Sequence, residues 1–277
     1  MSGLDKIKRI IVVLSGKGGV GKSTVTTQVA LSLYNSGYRV GLLDVDLCGP
    51  SIPKMFGVDK NSKESVVYET PEGMTPVDVF ATSSDSSRFK LMSMALLLDS
   101  ENDAVIWRGP RKVAMIQRLL TGVKWGELDY LIIDTPPGTS DEHIAVMTVL
   151  KQHEHAKEFL RAILVTTPQM LSINDVRREI TFCHKTSFHI IGLIENMSGY
   201  VCPHCSECTN IFAQGGGTLL AEQYSIPFLG RLPIDNRLNA ILDQGITKVD
   251  NGLETISETE TMKLFKNIIN QILDRWE

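Results

Sequence analysis

Long apolar runs, abundant cysteine and a strong excess of one charge are all missing from this sequence of 277 residues. Basic and acidic residues nearly balance, with 28 Lys and Arg against 32 Asp and Glu and a net charge of −4. Since the basic residues are also scattered, we expect no sequence-independent surface for nucleic acid. No apolar stretch reaches the roughly twenty residues that a bilayer-spanning helix needs, so we expect no membrane association either.

Cysteine use and the N-terminal sequence bear on the cellular compartment. Five cysteines, an odd number for a chain of this length, argue against a disulfide framework and favour thiol or metal chemistry. The first residues lack the apolar stretch of a secretory signal, and Gly3 does not occupy the position that myristoylation requires. We therefore expect a cytoplasmic protein.

Apolar segments of strand length alternate with segments of helical periodicity along the chain. The strand candidates are 10–14, 39–43, 130–133, 161–166, 190–195 and 227–231. This alternation predicts a doubly wound α/β fold, in which helices cover both faces of a mainly parallel sheet. We expect residues 1–277 to form a single domain, because the alternation is evenly spread.

Three further segments lie outside this alternation. A small insertion at about 57–90 contains two short runs, 66–68 and 75–80, that predict a hairpin. The stretch 91–98 is apolar on too many faces to be assigned to a helix or to a strand. Residues 260–276 carry apolar side chains at helical spacing, and we expect this helix to pack against the domain.

A phosphate-binding loop follows the first strand candidate. Residues 16–24 read GKGGVGKST and match the template G-x-x-x-x-G-K-[ST] between a strand and a helix. Lys22 would reach the β- and γ-phosphates of a nucleotide, and Ser23 would bind Mg²⁺. The candidate nucleotide-binding residues of this loop are Gly16, Lys17, Gly18, Gly19, Val20, Gly21, Lys22, Ser23 and Thr24.

Lys17 is a second cation that the loop template does not require. Its side chain starts at the outer rim of the loop, which leaves two interpretations open. The lysine is either solvated, or it points across an interface into the phosphates of another subunit. In the second case dimerisation would be part of the active site.

Two strand ends supply carboxylates where a ligand crevice is expected. Asp44 and Asp46 follow the second strand candidate at a spacing that puts them on one face, so either could reach the γ-phosphate, its Mg²⁺ or the attacking water. Asp134 follows the apolar run 130–133, in the position of the Mg²⁺-associated Walker B carboxylate. The residues alone leave the choice between Asp44 and Asp46 open, and the other catalytic candidates are Lys17, Lys22 and Asp134.

A loop at 198–210, after the strand candidate 190–195, carries three cysteines. Cys202, Cys205 and Cys208 form a C-x₂-C-x₂-C run, a spacing that suits metal–thiolate chemistry. A structural zinc site would normally take four ligands from one chain, whereas two cysteines from each of two chains would also supply four. The spacing does not choose between Zn²⁺ and a [4Fe–4S] cluster, because both accept four thiolates.

Together these motifs resemble the Mrp-type branch of the deviant-Walker P-loop ATPases, which are SIMIBI-like P-loop NTPases. The resemblance covers residue 9 to about 240, and its most specific segments are 16–23, 44–51, 134–143 and 195–205. Within that branch the chain is similar to the short cytosolic iron–sulfur scaffold ATPases. The long paralogues carry an additional N-terminal site of four cysteines, which we do not expect here because no cysteine precedes Cys48.

The resemblance implies roles for individual residues of the nucleotide site. It gives Lys17 a role across the dimer interface and Asp46 a role in orienting the attacking water. It also implies that Asn196 and the loop containing Pro233 and Asp235 hold the adenine.

The resemblance also implies a slow, switch-like ATPase that uses ATP and Mg²⁺ and assembles a [4Fe–4S] cluster. It chooses the cluster over zinc, with Cys202 and Cys205 as ligands and Cys208 as a possible further one. The implied partners are a second copy or the long paralogue, and apo iron–sulfur proteins or their targeting factors. Two alternatives stay open, a P-loop ATPase with a structural zinc and a spatial-positioning ATPase. The second predicts a basic tail or patch, which the sequence does not show.

Overall fold

A mainly parallel β-sheet runs through the middle of the protein. The computed structural model describes residues 3–47, 49–59, 62, 65–81, 88–97, 109–138, 140–201, 208–209, 211–212 and 215–276. The strands are β1 (Ile10–Ser15), β2 (Val40–Asp44), β3 (Glu69–Thr70), β4 (Gly73–Met74), β5 (Val77–Asp78), β6 (Phe89–Ser93), β7 (Tyr130–Asp134), β8 (Leu160–Thr166), β9 (Ile190–Glu195), β10 (Tyr200–Val201), β11 (Cys208–Thr209) and β12 (Phe228–Arg231). Within these ranges the main sheet has the order β12-β9-β8-β1-β7-β2-β6-β5, and β5 alone pairs antiparallel to its neighbour.

Helices cover both faces of this sheet. They are α1 (Lys22–Asn35), α2 (Ile52–Phe56), α3 (Gly109–Thr121), α4 (Asp141–Gln152), α5 (Glu154–Glu158), α6 (Met170–Lys185), α7 (Gly216–Gln223), α8 (Asn236–Gln244), α9 (Gly252–Ser257) and α10 (Glu260–Asp274), with 3₁₀ turns at Met94–Leu97 and Ile246–Lys248. One apolar core joins the sheet to α3, α4, α6 and α7, and a second joins the opposite face to α1, α2, α8, α9 and α10. The predicted doubly wound α/β class is therefore confirmed.

The strand candidates match the observed strands closely, because both faces of the sheet are covered and its strands are continuously apolar. Each of the six differs from its observed strand by at most one residue at either end. The helix expected at 260–276 is also present as α10, whose Met262, Phe265 and Ile269 are buried in the second core. Within the described residues, no helix is long and apolar enough to cross a membrane.

The structure assigns one stretch that the sequence left open and corrects the extent of the predicted hairpin. The unassigned stretch 91–98 contributes the end of β6, which lies between β2 and β5 and then turns into the 3₁₀ segment Met94–Leu97. Its side chains are buried on both faces, so the sequence shows no alternation that would reveal a strand. The predicted hairpin is present around the turn, where β3 pairs with β4 and the Thr75 N–H donates to the Tyr68 carbonyl at 3.0 Å, but the run 75–80 does not continue it, because β5 joins the main sheet through β6.

The contact between α4 and α6 buries a polar pair. His143 Nε2 lies 3.5 Å from Glu179 Oε2, and both side chains are almost completely buried. The Phe182 ring packs edge-on against the imidazole, and the thiol of Cys183 is buried in the same core. Burial lowers the pKa of His143 to about 4 and raises that of Glu179 to about 7. Both groups are therefore uncharged at mildly acidic pH.

We expect the unfolding free energy of Glu179→Gln to rise relative to that of the wild type as the pH increases from 5 to 8. The ordinary carboxyl pKa of 4.5 applies to the unfolded chain and the raised pKa of about 7 to the folded one. The contribution of Glu179 to the unfolding free energy of the wild type is therefore fully present below pH 4.5. It is lost as the pH rises toward 7, by at most about 3 kcal/mol. His143 stays neutral throughout this range because burial lowers its pKa to about 4.

Urea unfolding of both proteins at several pH values measures this difference. The exposed Glu222 supplies a control, since Glu222→Gln should leave the pH dependence of the wild type unchanged. Unfolding free energies of Glu179→Gln and wild type that stay parallel from pH 5 to 8 would contradict the expectation.

Candidate nucleotide-binding site

The glycine-rich loop connects the carboxyl end of β1 to α1. Gly21 precedes α1 directly with a φ of 78°, a left-handed conformation that only glycine adopts easily. It gives α1 no side-chain cap, so the N–H groups of the first helical turn point toward the loop without a side-chain acceptor. Such a helix N-terminus favours an anion.

Asp134, at the end of β7, connects this loop to the sheet. One carboxylate oxygen accepts from Lys22 Nζ at 2.6 Å and from Thr26 Oγ1 at 2.7 Å, and the other accepts from Ser23 Oγ at 2.6 Å. Asp134 and Lys22 are 1% and 6% exposed, so the charges are paired almost out of contact with water. The oxygens of Ser23 and Asp134 converge, and hard oxygen donors of this kind suit Mg²⁺.

The two aspartates after β2 have different surroundings. Asp44 is buried and accepts from Ser93 Oγ and from the Asp46 N–H, each at 3.1 Å. Burial and the neighbouring Asp134 raise the pKa of Asp44 to about 8. Asp46 instead lines a cavity beside the loop. The structure thus separates two residues that the residue pattern alone left equivalent, and Asp46, to which the resemblance gives a role, is the one that lines this cavity.

This first cavity, of about 240 Å³, brings together most of the candidate catalytic residues. Its lining includes Lys17, Lys22, Ser23, Asp46 and Pro137. Asp134 lies beneath them through its contacts with Lys22 and Ser23. The cavity thus offers lysine ammonium groups to a triphosphate and oxygen ligands to a divalent cation.

A second cavity, of about 150 Å³, adjoins the same end of α1. Its wall contains the three residues expected to hold adenine, Asn196, Pro233 and Asp235. Asn196 Nδ2 donates to the Val20 carbonyl at 2.9 Å, which fixes the loop to the end of β9. Asp235 is the N-cap of α8, because its Oδ1 accepts from two backbone N–H groups of that helix. Its Oδ2 accepts from Thr261 Oγ1 at 3.0 Å.

Two residues that the sequence did not single out belong to this site. Thr26 hydrogen-bonds Asp134, and Gln28 is buried in the wall of the second cavity. The only available signal was a polar side chain on the inward face of α1, two positions after Thr24 for Thr26 and four positions, about one helical turn, for Gln28. Polar residues in such positions are usually structural, so the pattern alone does not identify them.

The cysteine-bearing segment is described only at its base. Cys202 and Cys205 lie outside the described residues, as does Cys48, and Cys208 is described only through its backbone in β11, which pairs with β10. No group of three or more His, Cys, Asp or Glu side chains suited to a metal occurs within the described ranges. The cluster ligands therefore stay predictions.

The base of this segment is hydrogen-bonded to the wall of the second cavity. The Ser198 N–H donates to the Leu232 carbonyl at 2.9 Å, and the Ile234 N–H donates to the Gly199 carbonyl at 2.7 Å. Tyr200 forms a parallel bridge with Ile234. The nucleotide cavity and the start of the cysteine segment thus share one piece of backbone.

Comparisons with known proteins point to one family. A family model described as ParA, NUBPL iron-transfer P-loop NTPase, matches residues 6–273. A relative from Gallus gallus, named cytosolic Fe-S cluster assembly factor NUBP2, is 50% identical over 273 residues, which are 99% of this chain and 94% of that protein. One from Chaetomium globosum, named cytosolic Fe-S cluster assembly factor CFD1, is 51% identical over 244 residues, 87% of this chain and 79% of that protein.

Solved structures share the fold. A nucleotide-binding protein from Archaeoglobus fulgidus in complex with ADP is 38% identical, has a TM-score of 0.71, and the match covers 93% of this chain and 96% of that one. The cell division ATPase MinD of Pyrococcus furiosus has a TM-score of 0.63 at 20% identity, with 97% and 99% of the two chains covered. That second likeness concerns the fold alone.

We expect Gly21→Ala to destabilise the protein more than Gly19→Ala. Both glycines have a φ of 78°, so each alanine adds the strain of a left-handed residue, about 1–2 kcal/mol. A Cβ at Gly21 would also lie 2.2 Å from Asn196 Nδ2, whereas nothing lies within 4 Å of one at Gly19. Displacing Asn196 from Val20 should cost a further roughly 1–3 kcal/mol. Urea unfolding without nucleotide measures both variants, and equal losses would contradict the expectation.

Proposed function

Because the chain belongs to the family of NUBPL-type iron-transfer P-loop NTPases, we propose that it is a slow, switch-like ATPase that assembles a [4Fe–4S] cluster at a dimer interface. It then transfers the cluster to cytosolic and nuclear apo-proteins. The observation that carries the proposal is the backbone contact between the nucleotide cavity and the base of the cysteine segment. The relatives' names, which call them cytosolic assembly factors, support the cytoplasm as the compartment.

The phosphates bind at the loop of residues 16–24. Lys22 contacts the β- and γ-phosphates, and Ser23 and Asp134 hold Mg²⁺, which neutralises charge on the phosphates. This proposal is supported by the contacts of Asp134 with Lys22 Nζ and with Ser23 Oγ, each at 2.6 Å. Asp46, in the wall of the first cavity, orients the attacking water. Hydrolysis is slow because, among the described residues, no carboxylate or histidine other than Asp46 lines that cavity to act as a general base.

The adenine binds in the second cavity, against Asn196, Pro233 and Asp235. Gly21 and Thr24 line both cavities, so a nucleotide can span them along the N-terminus of α1. ATP is the preferred ligand of this pair of cavities.

A second subunit completes the active site through its Lys17. Exposed apolar side chains at the N-terminal ends of α6 and α7 support such an interface, namely Met170, Leu171 and Leu219, which are 62%, 66% and 66% exposed. The α6 helix passes close to the loop, because a Cβ at Gly16 would lie 2.4 Å from the backbone of Asp175. Exposed apolar groups of this kind favour burial against a partner. The partner is a second copy or the long paralogue.

Nucleotide binding changes the cysteine segment through the backbone that the two sites share. Asn196 contacts the loop at Val20, and the chain then runs through Ser198 and Tyr200 toward Cys202. A ligand that binds one arrangement of this backbone more tightly will shift its population. Cys202 and Cys205 of each subunit hold the cluster, which is the cargo of the reaction, and ATP favours its release to apo-proteins.

We expect Lys22→Ala to abolish ATP binding, whereas Lys17→Ala should fold, dimerise and bind ATP without hydrolysing it. A mixture of Lys17→Ala and Asp46→Asn subunits tests the action across the interface. In a mixed dimer one site combines an intact Asp46 with the partner's intact Lys17. Random pairing in a symmetric dimer should therefore restore about a quarter of the wild-type hydrolysis rate. Phosphate release measures it, and no recovery in dimers shown to be mixed would contradict the role of Lys17.

We expect one [4Fe–4S] cluster per two chains in protein purified without oxygen. Two thiolates per chain cannot supply the four ligands that the cluster takes, so a dimer is needed. Substituting Cys202 or Cys205 by alanine should remove iron and sulfide but leave ATP binding intact, while Cys208→Ala should have a milder effect. Iron, sulfide and zinc analysis with a visible spectrum measures this.

The buried Cys183 supplies the matched control for these substitutions. Cys183→Ala should retain the full cluster, because its thiol packs in the core and faces no cluster. One full cluster per monomer, a Cys202→Ala protein that keeps its cluster, or one zinc per chain in place of iron would reject the shared site.

A further inference from the structure

The second cavity contains a buried amide whose hydrogen-bonding capacity is unused. The Gln28 side chain lines this cavity and is completely buried, yet neither Nε2 nor Oε1 has a hydrogen-bond partner. Native proteins pair nearly all of their buried polar groups, because an unpaired one loses its water without replacement. An amide left in this condition at the wall of a cavity indicates a ligand that pairs with it.

The other buried polar side chains of the wall are already engaged. Asn196 Nδ2 donates to Val20, and both oxygens of Asp235 accept bonds that hold α8 and α10. These bonds stabilise the cavity and commit part of the hydrogen-bonding capacity of both residues. The Gln28 carboxamide, in contrast, has its donor and its acceptor both unused.

We propose that Gln28 determines the preference of this site for adenine, by pairing its carboxamide with the N6–N7 edge of the base. The inference rests on the proposed function, since it takes the second cavity to hold the base of the nucleotide. A carboxamide presents a donor beside an acceptor. Adenine offers the complement, an amino donor at N6 beside an acceptor at N7, whereas guanine offers two acceptors on the same edge.

Gln28 also lies on the same helix as the residues proposed to bind the phosphates, so its distance from them is set by that helix. It lies in α1, six residues after Lys22, so the helix that binds the phosphates at its N-terminus carries the base-contacting residue on its inward face. Neighbouring Val25 and Phe265 in the wall supply apolar surface for the ring. Burial strengthens a hydrogen bond formed here, because no water competes for the amide.

Binding of nucleotide analogues tests the proposal without any turnover. Wild-type protein should bind ATP about tenfold to a hundredfold more tightly than purine riboside triphosphate, which lacks the N6 amino group, or 7-deaza-ATP, which lacks N7. Calorimetric titration of the full-length protein measures the three affinities. Equal affinities for ATP and both analogues would overturn the role of Gln28, while failure of all three to bind would instead reject the proposed ATPase site.

Gln28→Leu supplies the second arm of the test. It should lose about tenfold or more of its ATP affinity but less of its affinity for purine riboside triphosphate, which keeps only the N7 acceptor, so the ratio of the two affinities should fall. Without nucleotide it should be at least as stable as the wild type, because it removes a buried unpaired amide. An equal loss of affinity for ATP and for purine riboside triphosphate would show that Gln28 acts only in packing, and would overturn the proposal.

The control is Thr27→Val on the same helix. Thr27 is buried but does not line the cavity, and its hydroxyl lies 3.6 Å from Met55 Sδ. The variant should keep the wild-type ratio of affinities for ATP and the two analogues. A ratio that falls as far in Thr27→Val as in Gln28→Leu would overturn the assignment to Gln28.

Discussion

The buried carboxylate of Asp134 holds the P-loop helix against the central sheet, and the geometry of the candidate site depends on it. Three side chains of α1 converge on it, those of Lys22, Ser23 and Thr26. Removing one partner from a buried ion pair leaves an uncompensated charge and typically costs about 3–5 kcal/mol. Lys22 and Ser23, the residues proposed to bind phosphate and Mg²⁺, are thus positioned by the residue that also marks the end of β7.

The same arrangement accounts for the difference between Asp44 and Asp46. Asp44 lies beside Asp134 in the sheet, where two neighbouring carboxylates in a buried environment cannot both ionise easily. A raised pKa for Asp44 follows, and its hydrogen bonds to Ser93 and the Asp46 N–H occupy its oxygens. Asp46 is left to face the first cavity.

A second constraint connects the nucleotide to the cysteines. Asn196 touches the glycine-rich loop, and the chain that follows it is bonded to Leu232 and Ile234 before it enters the cysteine segment. The loop and the start of the cysteine segment are thus joined by a short covalent path that these hydrogen bonds restrain from the side. Along the chain after Asp134, Pro136 is followed by α4, where His143 is buried against Glu179.

The sequence by itself determined the class of fold, the phosphate-binding loop and the place of Asp134. Each of these depends on a local pattern, such as a continuously apolar strand or a glycine-rich turn before a helix. The tertiary structure alone decided the assignment of β6, the burial and hydrogen bonding of Asp44 and the unpaired state of Gln28. These depend on contacts between distant parts of the chain. Ser93 and Asp44 are 49 residues apart, and Asn196 and Val20 are 176 apart. No local periodicity records which neighbour a side chain meets across such distances, so only packing could decide it.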